Sequence, residues 1–158
     1  MTNYVVHCEP AKIYVSPTGF LVYARDFLEA HKSHKPEKPF SPASYYLICR
    51  SLELSLKAFL LTKGVTRPEI RDRKKLGHNL QKILERAFEL DINSVSPISS
   101  EQVLEIEKAN NWYARKGFEY FEIKNIVDGK ETLPDLNVLV EFAERLAIDL
   151  EPLCLSAA

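Results

Sequence analysis

The sequence predicts an all-α protein, an antiparallel bundle of five to six helices forming a single domain over residues 1–158. Three observations carry this. Two Ser-Pro pairs, Ser16-Pro17 and Ser41-Pro42, read as an N-cap followed by a first helical residue, where the missing proline N–H costs nothing. Apolar residues recur at spacings of three and four through most of the chain. No series of alternating apolar and polar segments marks out a sheet.

Residues 1–15 read as an extension ahead of the bundle. After Pro17, the residues Phe20, Ala24, Phe27, Leu28 and His31 share one face, which places a helix at about 17–34. The run HKSHKPEKPF then breaks the pattern with two prolines and several basic residues. A second helix at about 42–63 is apolar over a wide arc, through Tyr45, Leu47, Ile48, Leu52, Leu56, Phe59 and Leu60, as expected of a central helix with several neighbours. Gly64 suits the position just past its end. TRPE opens a short helical turn at about 67–75 with capping-box spacing. Leu80, Ile83, Leu84, Ala87 and Phe88 make the cleanest amphipathic stripe and place a helix at about 79–90. Past the turn-rich DINSVSPISS, Ser100 caps a helix at about 100–115 that carries Val103, Ile106 and Tyr113 on one side. Residues 117–133 read as a loop or a small hairpin-like excursion with a turn at Asp128-Gly129. The last helix, about 134–153, carries Leu136, Leu139, Val140, Ala143, Leu146, Ala147, Leu150 and Leu153.

Composition narrows the function classes. A hydrophobic fraction of 46% with 27% charged residues argues against disorder. The net charge of −1 advertises no nucleic-acid or membrane partner globally, so any anion site is local. The N-terminus does not read as a secretory signal, and no apolar run approaches the ~18 residues of a spanning helix. Cys8, Cys49 and Cys154 are odd in number, widely spaced and without CxxC, which suits free thiols in a reducing cytoplasm. Phosphate-loop, dinucleotide, zinc-protease and hydrolase signatures are absent. His31-x-x-His34 and His7-Cys8 offer metal-capable atoms but have no carboxylate partner at a matching spacing, so neither a metal site nor a cofactor is expected.

Two stretches carry candidate chemistry. In SLELSLKAFLL, Glu53 and Lys57 form an i,i+4 pair, read either as a solvated stripe shared with Arg50 or as a partly buried pair lining a groove or dimer seam. The cluster RPEIRDRKK holds Arg67, Arg71, Arg73, Lys74 and Lys75 and leads directly into LGHNLQKILERA. A helix start presents free N–H groups, so Arg71, Arg73, His78 and Asn79 can converge on an anion, with Lys57 added if the two segments adjoin. The competing reading is that His78 or Asn79 only caps the helix.

RSLELSLKAFLLTKG followed by LGHNLQKILERA resembles the HEPN domains, small helical bundles that often dimerise, and among them those with a GHDL-type motif, as found beside minimal nucleotidyltransferases and in sacsin. The likeness rests on the glutamate–lysine helix, the glycine that ends it and the G-H-[DN]-L start of the next helix. It is strongest over about 42–90, and helix order is compatible from 100 to 153. The resemblance implies one of two functions. Many members are metal-independent endoribonucleases of toxin–antitoxin or defence systems, using an arginine and a histidine with four to six residues between them, brought together across a dimer cleft. Others are non-catalytic modules that bind nucleotides, nucleic-acid phosphate or partner proteins. Arg73-x4-His78, Arg71-x6-His78 and Arg25-x5-His31 all meet the nuclease spacing. The later element where the family carries its motif has Arg115-x4-Tyr120, and a phenol is a poor general base at neutral pH. The expectation is therefore a cytoplasmic, homodimeric, non-catalytic module that binds a nucleotide, RNA or a nucleotidyltransferase or antitoxin-like partner. The nuclease is its main rival, and a purely structural helical interaction protein is the third reading.

Overall fold

The computed structural model describes residues 15–120 and 132–157. Its helices are α1 (Pro17–Ser33), α2 (Pro42–Thr62), α3 (Arg67–Arg71), α4 (Leu80–Glu89), α5 (Ser100–Tyr113), α6 (Leu136–Asp149) and α7 (Glu151–Ser156), with a 3₁₀ turn at Ile92–Ser94. No strand occurs among the described residues, and the fold is an all-α helical bundle. The Ser-Pro pairs act as read: the Ser16 hydroxyl accepts from Gly19 N at 3.0 Å and the Ser41 hydroxyl from Ser44 N at 3.3 Å.

Helix α2 is the centre of the bundle. It packs against α1, α4, α5, α6 and α7, and every residue from Ser51 to Leu60 is buried. Leu52, Leu56 and Phe59 meet Leu80 and Ile83 of α4, Ile106 and Trp112 of α5, and Phe142 and Leu146 of α6 in one continuous core. The breadth of apolar surface on α2 is thus consumed within the chain. Its tyrosines, both half-buried, also make contacts within the chain: Tyr45 stacks on Phe118 with centroids 5.2 Å apart, and Tyr46 sits 6.1 Å from Tyr113.

Three boundaries differ from the sequence reading. The cap of α5 is Ser99, not Ser100, because Ser99 and Gln102 close a reciprocal capping box. Helix α3 stops at Arg71, since Asp72 turns extended (ψ 114°) and its carboxylate accepts Lys74 N at 2.9 Å. The single C-terminal helix is two, broken at Leu150 ahead of Glu151-Pro152. Pro152 has no N–H to give and its ring would meet the Ile148 carbonyl, so the chain bends there. The bend lets α7 return to α1, where Thr18 Oγ1 donates to the Cys154 carbonyl at 3.0 Å and Arg25 pairs with Glu151 at 2.9 Å.

The 117–133 excursion, including Asp128-Gly129, falls mostly outside the described residues, but both its ends are fixed. Phe118 is buried against Trp112. On the return, Trp112 Nε1 donates to the Thr132 carbonyl at 3.4 Å and Asp135 N donates to Glu105 at 2.6 Å. Cys49 and Cys154 are buried free thiols, and burial raises both, that of Cys154 to about 11. Among the described residues no helix is long and apolar enough to cross a membrane.

Candidate functional site

The charged stripe of α2 carries Arg50, Glu53 and Lys57, spaced so that all three stand in line along the helix. Opposite them lies the turn Leu76–Asn79, and its shape depends on Gly77. That residue has φ +47°, and a Cβ there would sit 2.9 Å from the Arg73 Cα, so only glycine fits. The turn aims the Gly77 carbonyl at α2, where Lys57 Nζ donates to it at 2.5 Å. The two segments do adjoin, and Gly77 is the reason.

At the centre is Glu53, with no exposed surface. One carboxylate oxygen accepts from Lys57 Nζ at 2.7 Å and from Arg50 Nη1 at 3.0 Å. The other accepts from the Tyr113 hydroxyl of α5 at 2.5 Å. His78 Nδ1 lies 3.1 Å from both. Burial by itself would raise the Glu53 carboxyl; the His78 hydrogen bond and the charges of Lys57 and Arg50 outweigh it and hold the group at about 2. Glu53 is therefore an anion that only accepts, which places the proton of His78 on Nδ1 and turns Nε2 away from α2. Arg50 Nη1, 3.3 Å from the same Nδ1, is then a neighbour that shares the carboxylate and not a donor to the ring. Burial and the adjacent carboxylate push the Tyr113 phenol far up, so it stays a neutral donor.

Two clefts open on this network. The larger, about 460 Å³, is lined by apolar and aromatic side chains, among them Phe20, Tyr23, Leu54 and Ile70, by the cations Arg50, Lys57 and Arg71, and by Glu53 and His78. The smaller, about 270 Å³, lies between Tyr46, Tyr113, Lys116 and Glu119, and Arg50 and His78 line it too. The His78 side chain is 56% exposed, so its outer edge is available to both.

The structure distributes the candidate residues unevenly. Lys57, Arg71 and His78 share the larger cleft, with the Glu53–Lys57 pair buried in its floor and not solvated. Asn79 is the N-cap of α4: its side chain accepts from Lys82 N at 2.9 Å. The Leu80 N–H is taken by the Asn110 side chain at 2.8 Å. Protein groups thus occupy two of the donors that an anion at this helix start would use, and the ligand-facing surface moves from the helix end to the α2–α3 side. Arg73 is exposed and lines neither cleft; its backbone packs on Gly77. Arg115 and Tyr120 line neither cleft, and Tyr120 is 73% exposed. Arg25 is engaged with the Ala147 carbonyl of α6 and with Glu151 of α7, and neither Arg25 nor His31 lines these clefts, so the Arg25–His31 spacing does not form a site with the rest. No group of three or more His, Cys, Asp or Glu able to hold a metal occurs among the described residues, and His7 and Cys8 lie outside them.

Sequence reasoning placed Arg50 on the stripe without giving it a role, and did not find Tyr113 as the fourth partner of Glu53. The signal for Arg50 was its i,i+3 spacing to Glu53 inside an otherwise apolar helix. Tyr113 stands sixty residues from Glu53 and left no local signal. No protein-family model matches the chain, and no curated protein or solved structure matches it.

Proposed function

We propose that this protein is a non-catalytic, HEPN-like binding module whose larger cleft holds a nucleotide, with phosphate against Arg50, Arg71 and His78 and the base against Phe20 and Tyr23. The observation that carries this is the mixed chemistry of the cleft: the aromatic and apolar side chains Phe20, Tyr23, Leu54 and Ile70 and the cations Arg50, Lys57 and Arg71 line one volume of about 460 Å³. That volume lies within the ~300–1,000 Å³ of small-molecule sites. Cations with little global positive field behind them suit a compact anion held locally more than a long polyanion held by field. Gly77 and His78 of the GHNL turn and Arg50, Glu53 and Lys57 of α2 line this cleft, and Lys57 donates to the Gly77 carbonyl.

The test is thermal unfolding with AMP, ATP and GTP, in wild type and in Arg71→Ala, an exposed position at the end of α3. A nucleotide present at about 100 Kd adds about 2.7 kcal/mol to the native state. The proposal expects such a shift in wild type and its reduction in Arg71→Ala. No shift with any nucleotide at millimolar concentration rejects it.

One observation favours a second reading, a metal-independent endoribonuclease. A half-exposed histidine whose Nδ1 is held by a buried carboxylate and which lines a cleft together with an arginine has the arrangement of an oriented general base. RNA cleavage in EDTA that is lost in His78→Ala, and whose rate falls in Arg50→Lys, would put this reading first.

A further inference from the structure

The two clefts are not independent. Arg50 and His78 line both, and their side chains approach to 3.3 Å, so the pair forms the ridge between them. The smaller space, about 270 Å³, is below the usual range for a ligand site of its own. As a second lobe of the larger one it has a clear use. It offers an aromatic surface in Tyr46, half-buried and tilted against Tyr113, and a polar edge in Lys116 and Glu119, which pair at 3.8 Å.

From this we infer that the ligand is two-lobed: two planar bases joined by a phosphodiester or pyrophosphate, with the anionic linker on the Arg50–His78 ridge and one base in each cleft. This rests on the nucleotide reading above and extends it. The ridge is suited to a linker because Arg50 and His78 line both clefts, while Glu53 beneath them is paired with Lys57 as well as with Arg50. A mononucleotide leaves the second lobe filled with water; a second base placed on Tyr46 gains stacking at the cost of ordering one linker.

The experiment is calorimetric titration of the full chain with three probes: AMP, the 3′–5′ phosphodiester ApA, and diadenosine 5′,5′-diphosphate. The same series is repeated on Ala114→Trp, which fills the smaller cleft from an exposed wall position and leaves Arg50 and His78 untouched. At least one two-base probe is expected to bind about tenfold tighter than AMP, the scale of one stacked base. That advantage is expected to vanish in Ala114→Trp, with AMP affinity and the unfolding midpoint unchanged. ApA and the diphosphate differ only in linker, so their order separates a nucleic-acid source from a free dinucleotide. If neither two-base probe exceeds AMP, or the advantage survives in Ala114→Trp, the two-lobed ligand is overturned and the mononucleotide site stands. If no probe binds, the nucleotide reading itself fails and the inference falls with it.

Discussion

His78 Nδ1 lies 3.1 Å from each carboxylate oxygen of Glu53, twenty-five residues earlier in the chain, and this contact joins the helix start of α4 to the centre of α2. Glu53 has no exposed surface and also receives Arg50, Lys57 and Tyr113. Breaking such a hub from its centre leaves buried cations without a counter-charge. Glu53→Gln is expected to cost about 3–5 kcal/mol at neutral pH, read as a lower urea midpoint with an unchanged slope. Adding Lys57→Met to that variant is expected to recover part of the loss, because it removes the stranded ammonium. A double mutant as unstable as the sum of the singles would show that Glu53 and Lys57 are not coupled.

The same carboxylate gives stability a definite acid dependence. Its pKa in the folded chain, about 2, is below the ordinary value of 4.5. A depressed carboxylate stabilises the fold fully above its unfolded pKa and loses that contribution as pH falls through the folded one. The contribution is about 3 kcal/mol at neutral pH, fading between about pH 4.5 and 2. Urea midpoints measured from pH 7 down to pH 2.5 should therefore converge for wild type and Glu53→Gln. A gap that stays constant over that window would contradict the assignment.

Two glycines with positive φ predict different costs. Gly64 has φ +82° with nothing within 4 Å of an added Cβ, so Gly64→Ala should cost only about 1 kcal/mol of backbone strain. Gly77→Ala adds a Cβ 2.9 Å from the Arg73 backbone, so the turn itself must move. We expect about 2–4 kcal/mol there, together with weaker nucleotide binding, because the carbonyl that Lys57 uses and the ring that Glu53 holds are both displaced. Equal costs at the two positions, by denaturation, would refute the packing argument.

The α4 start offers a comparison between an exposed cap and a buried one. Asn79→Ala removes a bond on the surface and should cost about 1 kcal/mol. Asn110→Ala strands the N–H of Leu80, a residue with no exposed surface, and should cost about 1–3 kcal/mol. Amide exchange at Leu80 should accelerate more in Asn110→Ala than in Asn79→Ala; the reverse order would show that the α5 side chain is not what protects it.

Much of the helical frame was legible in the sequence because its causes are local. The Ser-Pro pairs, the stripe from Leu80 to Phe88 and the glycine after α2 act within a few residues of themselves, and the helices start and stop close to where these signals put them. Where a boundary moved, a local signal had been passed over: Gln102 three residues after Ser99, the Asp72 side chain, and Pro152 inside an apolar stripe.

The site divides differently. The sequence by itself determined which charged groups α2 carries and at what spacing, that a basic segment precedes GHNL, and that Gly77 stands where a turn is needed. Only the tertiary structure decided that Glu53 and Lys57 are buried, that Arg50 and His78 share one carboxylate, and that Arg71 faces a cleft while Arg73 does not. Spacing along a helix fixes direction about its axis, but burial and partnership depend on which other helix lies across from that direction. Here that is set by α5, whose Tyr113 reaches Glu53 and whose Asn110 holds Leu80, across sequence separations of sixty and thirty residues that no local pattern encodes.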